Sequence, residues 1–178
     1  NSVTVVTADS ISDQNALTTE EVLGTVAGVS PQNNGRTFSN RLVLRGVTNG
    51  GGLSLTFREN GLAGGVNYAS DPYVYERYEV IKGPSSIIGG VITPGGIINR
   101  VNKLATDGDF GHVESSISDY GQVRLRADVN RDLDDQGQFS GRVVVASAFG
   151  DEFYDFAEND YFQVVPSIKA HLSEDTVV

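Results

Sequence analysis

Two stretches of the chain alternate in hydrophobicity with a strict period of two. Val123, Leu125, Ala127 and Val129 are interleaved with Gln122, Arg124, Arg126, Asp128 and Asn130. Phe162, Val164, Pro166, Ile168, Ala170 and Leu172 are interleaved with Tyr161, Gln163, Ser167, Lys169 and His171, and Val165 is the exception. Successive side chains of a strand point to opposite faces, so each stretch reads as a strand with one apolar and one polar face. Residues 138–149 give a blurrier strand and 110–118 a weak one. The link over 131–137 is short and acidic, whereas that over 150–160 is longer and carries Phe153, Tyr154 and Phe156. Two architectures fit: a soluble antiparallel sheet with one face on a core, or the start of a meandering transmembrane barrel, whose strands need only about 9–11 residues. Pro166 lacks a ladder donor and is expected to require a bulge or local compensation.

Charge narrows the partners. Thirteen Lys and Arg stand against 23 Asp and Glu, a formal net charge of -10, which disfavours nucleic acid and anionic headgroups. There is no cysteine, hence no disulfide, thiolate metal site or cysteine nucleophile. The 21 glycines, without a Gly-x-y period and with only 5 prolines, point to many tight turns. No apolar run approaches the roughly 20 residues of a membrane helix, and the opening NSVTVVTA reads as the interior of a longer precursor.

The first half has a different texture. Residues 3–6 read as a short strand, with a helical turn starting over 7–10. Thr18 and Glu21 have capping-box spacing, Val22, Leu23, Val26 and Ala27 form an apolar stripe, and Gly28 is the expected C-cap. A polar loop over 32–40 precedes a strand at 42–44 that Arg45-Gly46 ends. A glycine-rich loop over 49–52, a strand over 53–57, the Asn60-Gly61 turn and a strand over 78–81 follow. Glu76, Arg77 and Glu79 suit local ion pairs. Ile87, Ile88, Val91, Ile92, Ile97 and Ile98 are apolar anchors around paired glycines. Gly83, Gly89, Gly90, Gly95 and Gly96 suit close backbone approach and positive φ. GGVITPGG lacks the Gly-Lys-Ser/Thr end of a phosphate loop. No nucleophile, base and orienting group converge, so an enzyme is not expected. No cofactor or metal is expected either: His112 and His171 are 59 residues apart without ligand companions.

EVLGTVAGVSPQ, LVLRG, NG, YERYEVIKGPSSIIGG and PGGIINRVNK occur in that order and resemble the plug signatures of TonB-dependent outer-membrane receptors, ferric-siderophore receptors in particular. RADVNRDLDDQGQFSGRVVVA and PSIKAHLSEDTVV resemble the start of their barrel. The resemblance implies an α+β plug with a small mixed β-sheet and short helices over 1–105. Over 106–178 it implies the first antiparallel strands of a transmembrane β-barrel, a fragment of one with about 22 strands. It implies TonB-dependent uptake of a ferric siderophore at the cell outer membrane, with no bond of the cargo broken.

The implied partners are a ferric siderophore or similar chelate, the remainder of the chain's own barrel, outer-membrane lipid, and the TonB–ExbB–ExbD system. The last would act through an upstream box that these residues do not contain. Arg45 and Lys82 match family positions that lock plug to barrel. Family ligand contacts fall near Arg36, near Gly51 and Gly52, and from Gly65 to Tyr68. Arg58-Glu59-Asn60-Gly61 departs from the family's aspartate-glycine. Alternatives are another TonB-dependent cargo, such as cobalamin, a metal chelate or a glycan, and a soluble plug-like binding module.

Overall fold

The computed structural model describes residues 2–31, 42–48, 57–63, 70–83, 95–119, 121–134, 136–150, 160–173 and 176–177. Arg36, Gly51, Gly52, Gly65, Tyr68, Gly89 and Gly90 lie outside them, as do residues 53–56 of the strand expected over 53–57 and the aromatic residues of the 150–160 link. The chain forms two compact units, Asn1–Asn102 and Lys103–Val178.

The first unit is built on a five-stranded mixed sheet. Its strands are β1 (Ser2–Thr7), β5 (Phe57–Glu59), β6 (Leu62–Ala63), β7 (Tyr75–Lys82) and β8 (Gly96–Asn102), in the order β1-β7-β8-β5-β6. Among the described residues only β5 and β8 run parallel. A second, antiparallel sheet joins β2 (Val29–Pro31), β3 (Leu42–Leu44) and β4 (Val47–Thr48). Helices α1 (Ala8–Asp13) and α2 (Thr19–Gly24) and a 3-10 turn, Pro72–Val74, complete the unit. Its core comprises Val22, Leu23, Leu42, Leu44, Phe57, Val74, Tyr78, Val80 and Ile98, each aliphatic side chain contributing about 1.5–3 kcal/mol by leaving water.

Thr18 caps α2 by accepting from Glu21 N at 3.2 Å. Glu21 Oε2 reaches back one residue further than a capping box requires, accepting from Leu17 N at 2.7 Å. The helix is shorter than its apolar stripe. It ends at Gly24, where helix propensity is poor, with Thr25 as C-cap and its hydroxyl donating to Val22 O at 2.9 Å. Val26 is buried from the following turn, and Gly28 (φ +80°) lies beyond the helix. Arg45 (φ +51°) and Gly46 (φ +79°) form the two-residue turn of a β3–β4 hairpin, as Asn60 and Gly61 do between β5 and β6. Two consecutive positive φ values match the right-handed twist of the flanking strands.

The second unit is an antiparallel meander of β9 (Phe110–Ile117), β10 (Val123–Asp132), β11 (Phe139–Phe149), β12 (Tyr161–Ser173) and β13 (Thr176–Val177). Its faces are inverted relative to a soluble sheet. Val113, Ile117, Phe162, Ile168 and Leu172 of the apolar face are 64–73% exposed. On the polar face Arg126, Asp128, Asn130, Ser140 and Arg142 are at most 8% exposed.

Pro166 brings no bulge into the β11–β12 ladder, where a bulge or local compensation was expected. The β11–β12 register runs unbroken through Val143↔Pro166. His171 N donates to Gln138 O at 2.9 Å, so by alternation the odd-numbered amides of β12 point at β11 and the even ones away. Proline occupies a position whose missing N–H takes no bond from that ladder.

Candidate functional site

In the first unit, aromatic and charged side chains cluster on β7 and β8. A register irregularity between Tyr75 and Arg77 resets the alternation, so Tyr75 and Tyr78 are buried together rather than on opposite faces. Their rings meet edge to face at 5.2 Å. Tyr78 OH lies 3.0 Å from Thr19 Oγ1, both side chains fully buried. Burial holds the Tyr78 phenol well above its ordinary range, with Tyr75 adding to the effect. Arg100 places its guanidinium carbon 5.3 Å from the centroids of both Phe57 and Tyr75, donates to Ser70 Oγ at 3.3 Å and pairs with Glu59 at 3.5 Å. The rings and the carboxylate together offset the desolvation of that cation. Arg77 and Glu79 pair at 2.7 Å, as the sequence suggested for this cluster. Asn99 Nδ2 donates to Glu79 at 2.9 Å, and that bond, followed by Arg77, holds the Glu79 carboxyl below its usual range.

Of the positions singled out for locking, Arg45 is exposed at the tip of the β3–β4 hairpin, and Lys82 ends β7 opposite Ser2 and Gly96, only 8% exposed. The described glycines show why side chains are excluded. A β-carbon on Gly95 would lie 2.6 Å from Leu44 O, and one on Gly96 (φ +127°) would run into Ile81 O. Gly83 also has a positive φ of 107°.

In the second unit, the polar face holds residues that the sequence analysis did not single out. Arg142 grips Asp128 with two bonds, Nε to Oδ1 at 2.7 Å and Nη2 to Oδ2 at 2.8 Å, and Lys103 Nζ approaches the same carboxylate at 3.0 Å. Arg126 pairs with Glu114 at 2.9 Å. Asn130, fully buried, accepts from Thr106 N and donates to the carbonyls of Thr106 and Gly108. His171 lies 3.0 Å from Asp107 and His112 3.5 Å from Glu114. Among the described residues no group of three or more His, Asp or Glu could hold a metal ion, and no helix is long and apolar enough to cross a membrane. The only advance signal for this network was the run of short polar side chains Asp128, Asn130 and Asp132 on one strand face; their targets, some 24 residues away, depend on strand register.

A family model described as the TonB-dependent receptor plug domain matches residues 1–97. The chain belongs to the TonB-dependent receptor plug domain family. The metal-pseudopaline receptor CntO of Pseudomonas aeruginosa is 33% identical over 108 residues, covering 61% of this chain and 15% of that protein. The ferripyoverdine receptor of the same organism is 28% identical over 181 residues, covering 99% of this chain and 22% of that protein. A crystal structure of the Pseudomonas aeruginosa ferripyoverdine receptor bound to ferripyoverdine superposes with a TM-score of 0.87 at 26% identity, covering 99% of this chain and 24% of that one. The chain therefore spans 15–24% of the length of these relatives.

Proposed function

We propose that these residues are the plug and first barrel strands of an outer-membrane receptor that takes up a ferric siderophore by TonB-dependent transport. One observation carries the reading: a plug-family unit is followed in the same chain by strands whose apolar face is exposed and whose charged face is buried along β10 and β11. That inversion suits a sheet with lipid on one side and a filled lumen on the other, and it disfavours a soluble plug-like module.

On this reading the cargo is bound and passed without covalent change. Arg36, Gly51, Gly52, Gly65 and Tyr68 are the candidate contacts with it, an arginine suiting an anionic chelate and a tyrosine stacking on or hydrogen-bonding to its arms. Arg45 and Lys82 are assigned to carboxylates on the barrel wall, and force arrives from the TonB–ExbB–ExbD system through an upstream segment. The names of the relatives favour chelated metal over cobalamin or glycan, and the metal-pseudopaline receptor keeps a chelate of another metal as the second reading.

The test is growth of an iron-starved strain lacking its own receptors and expressing the complete protein, on a panel of ferric hydroxamates, catecholates and mixed chelates. Growth on one class, lost when TonB is deleted, is expected. Growth on none moves the assignment to another chelate or cargo.

A further inference from the structure

The chain passes from β8 to β9 through residues 103–109, and nearly every one of them is fastened to the second unit's sheet. Lys103 pairs with Asp128, and Leu104 O accepts from Arg142 Nη1 at 2.9 Å. Ala105 is buried. The Asn130 amide pairs with both the N–H and the carbonyl of Thr106, as a neighbouring strand would. Asp107 is held by Lys169 at 2.6 Å and His171 at 3.0 Å. Gly108 N donates to Asp132 at 3.0 Å, and Asp109 bonds Asp132 N at 2.8 Å and Arg131 at 2.7 Å. The fastening residues come from three strands, β10, β11 and β12.

The strand that follows begins at Phe110 and is bonded to β10 among the described residues. A pull transmitted down the chain into Phe110 would meet that ladder at its first residue.

We infer that residues 103–109 form a mechanical clamp that ends the first unit on a fixed point, so that force remodelling that unit is passed to β10, β11 and β12 and does not peel β9 from the sheet. The clamp rests on the reading of the first unit as a plug remodelled by force. Its test needs neither cargo nor TonB, so the two fail separately.

The measurement is single-molecule extension of the complete receptor in a bilayer, pulled from a cysteine placed at Ser2. Unravelling of the first unit should stop after about 100 residues, roughly 330–360 Å of extended chain, with a separate event at higher force before β9 is released. Asn130→Ala and the milder Arg142→Lys, each checked for a heat-modifiable folded barrel, should lower the force of that second event or merge it with the first. Hydrogen exchange on the wild-type receptor supplies a variant-free measure: the Thr106 and Gly108 amides should exchange as slowly as those of β10. Extension past Lys103 without a separate event, unchanged traces in the folded variants, or exchange at these amides as fast as in the first unit would overturn the inference.

Discussion

Gly96 opens β8 with its α-carbon turned toward the carbonyl oxygen of Ile81 on β7, so close that any β-carbon would collide with it. Its φ of +127° is also a value that side chains resist. Gly96→Ala should therefore destabilise the first unit by about 2–4 kcal/mol, combining backbone strain with displacement of β7. Gly61 at φ +82° faces open space, so Gly61→Ala should cost only about 1 kcal/mol. Protease resistance of the first unit against denaturant, in the complete receptor, distinguishes the two. Equal effects would mean that φ alone matters and the approach of β7 does not.

Thr19 and Tyr78 join the start of α2 to β7 through one buried hydroxyl pair. Tyr78→Phe and Thr19→Val should each cost about 1 kcal/mol. The double variant should cost less than their sum by a similar amount, because each single change strands the other hydroxyl. Strict additivity in the same denaturation assay would show that the pair is not coupled.

Asp128 supports Arg142 and Lys103 on the buried polar face. Asp128→Ala takes away the carboxylate they share, and breaking a buried pair on one side typically costs about 3–5 kcal/mol. Replacing all three members, Asp128→Leu with Arg142→Met and Lys103→Met, should recover much of that loss in folding of the complete barrel, while sacrificing the bond to Leu104 O. A triple variant no better than Asp128→Ala would mean that the clamp bond outweighs the charges.

Asp107 gives the pH dependence a sign. A hydrogen bond from Lys169, then one from His171, holds its carboxyl below the ordinary range. A depressed folded value means that the contact stabilises fully above the unfolded value, about 3.9, and is lost as pH falls through the folded one. Asp109, lowered by the Asp132 amide and then Arg131, acts in the same direction. Exchange protection over residues 105–109, corrected for the intrinsic rate, should hold at pH 5–7 and fall below about pH 4. Asp107→Asn should start lower and lose less. Protection that rises on acidification would contradict the sign.

The sequence carried the second unit well because a membrane-type strand writes its two faces directly into alternate residues. Leu125 and Arg126 announce opposite sides without any knowledge of their neighbours. The capping of α2 by Thr18 was equally local. Legibility failed wherever the answer depended on register. Pro166 leaves the β11–β12 ladder intact because of which neighbour its missing N–H faces, and that parity is set by β11. Arg45 reads as the end of a strand, yet it is half of a two-residue turn because Val47 and Thr48 return to pair with β3. Asn130 looks like any polar strand residue until the chain 24 residues earlier is laid against it.

Arg45 combines a strained backbone with an exposed guanidinium at the hairpin tip, and this allows its local and long-range roles to be separated. An arginine at φ +51° gives up backbone energy that glycine would not, by about 1 kcal/mol. Arg45→Gly should therefore stabilise the β3–β4 hairpin, whereas Arg45→Ala should leave it near the starting value. If the guanidinium holds the plug against the barrel wall, both variants lose that hold alike. In the complete receptor each should then admit large antibiotics that the parent excludes and expose the first unit to protease, despite their different local effects. Unchanged permeability in both variants would restrict Arg45 to its turn.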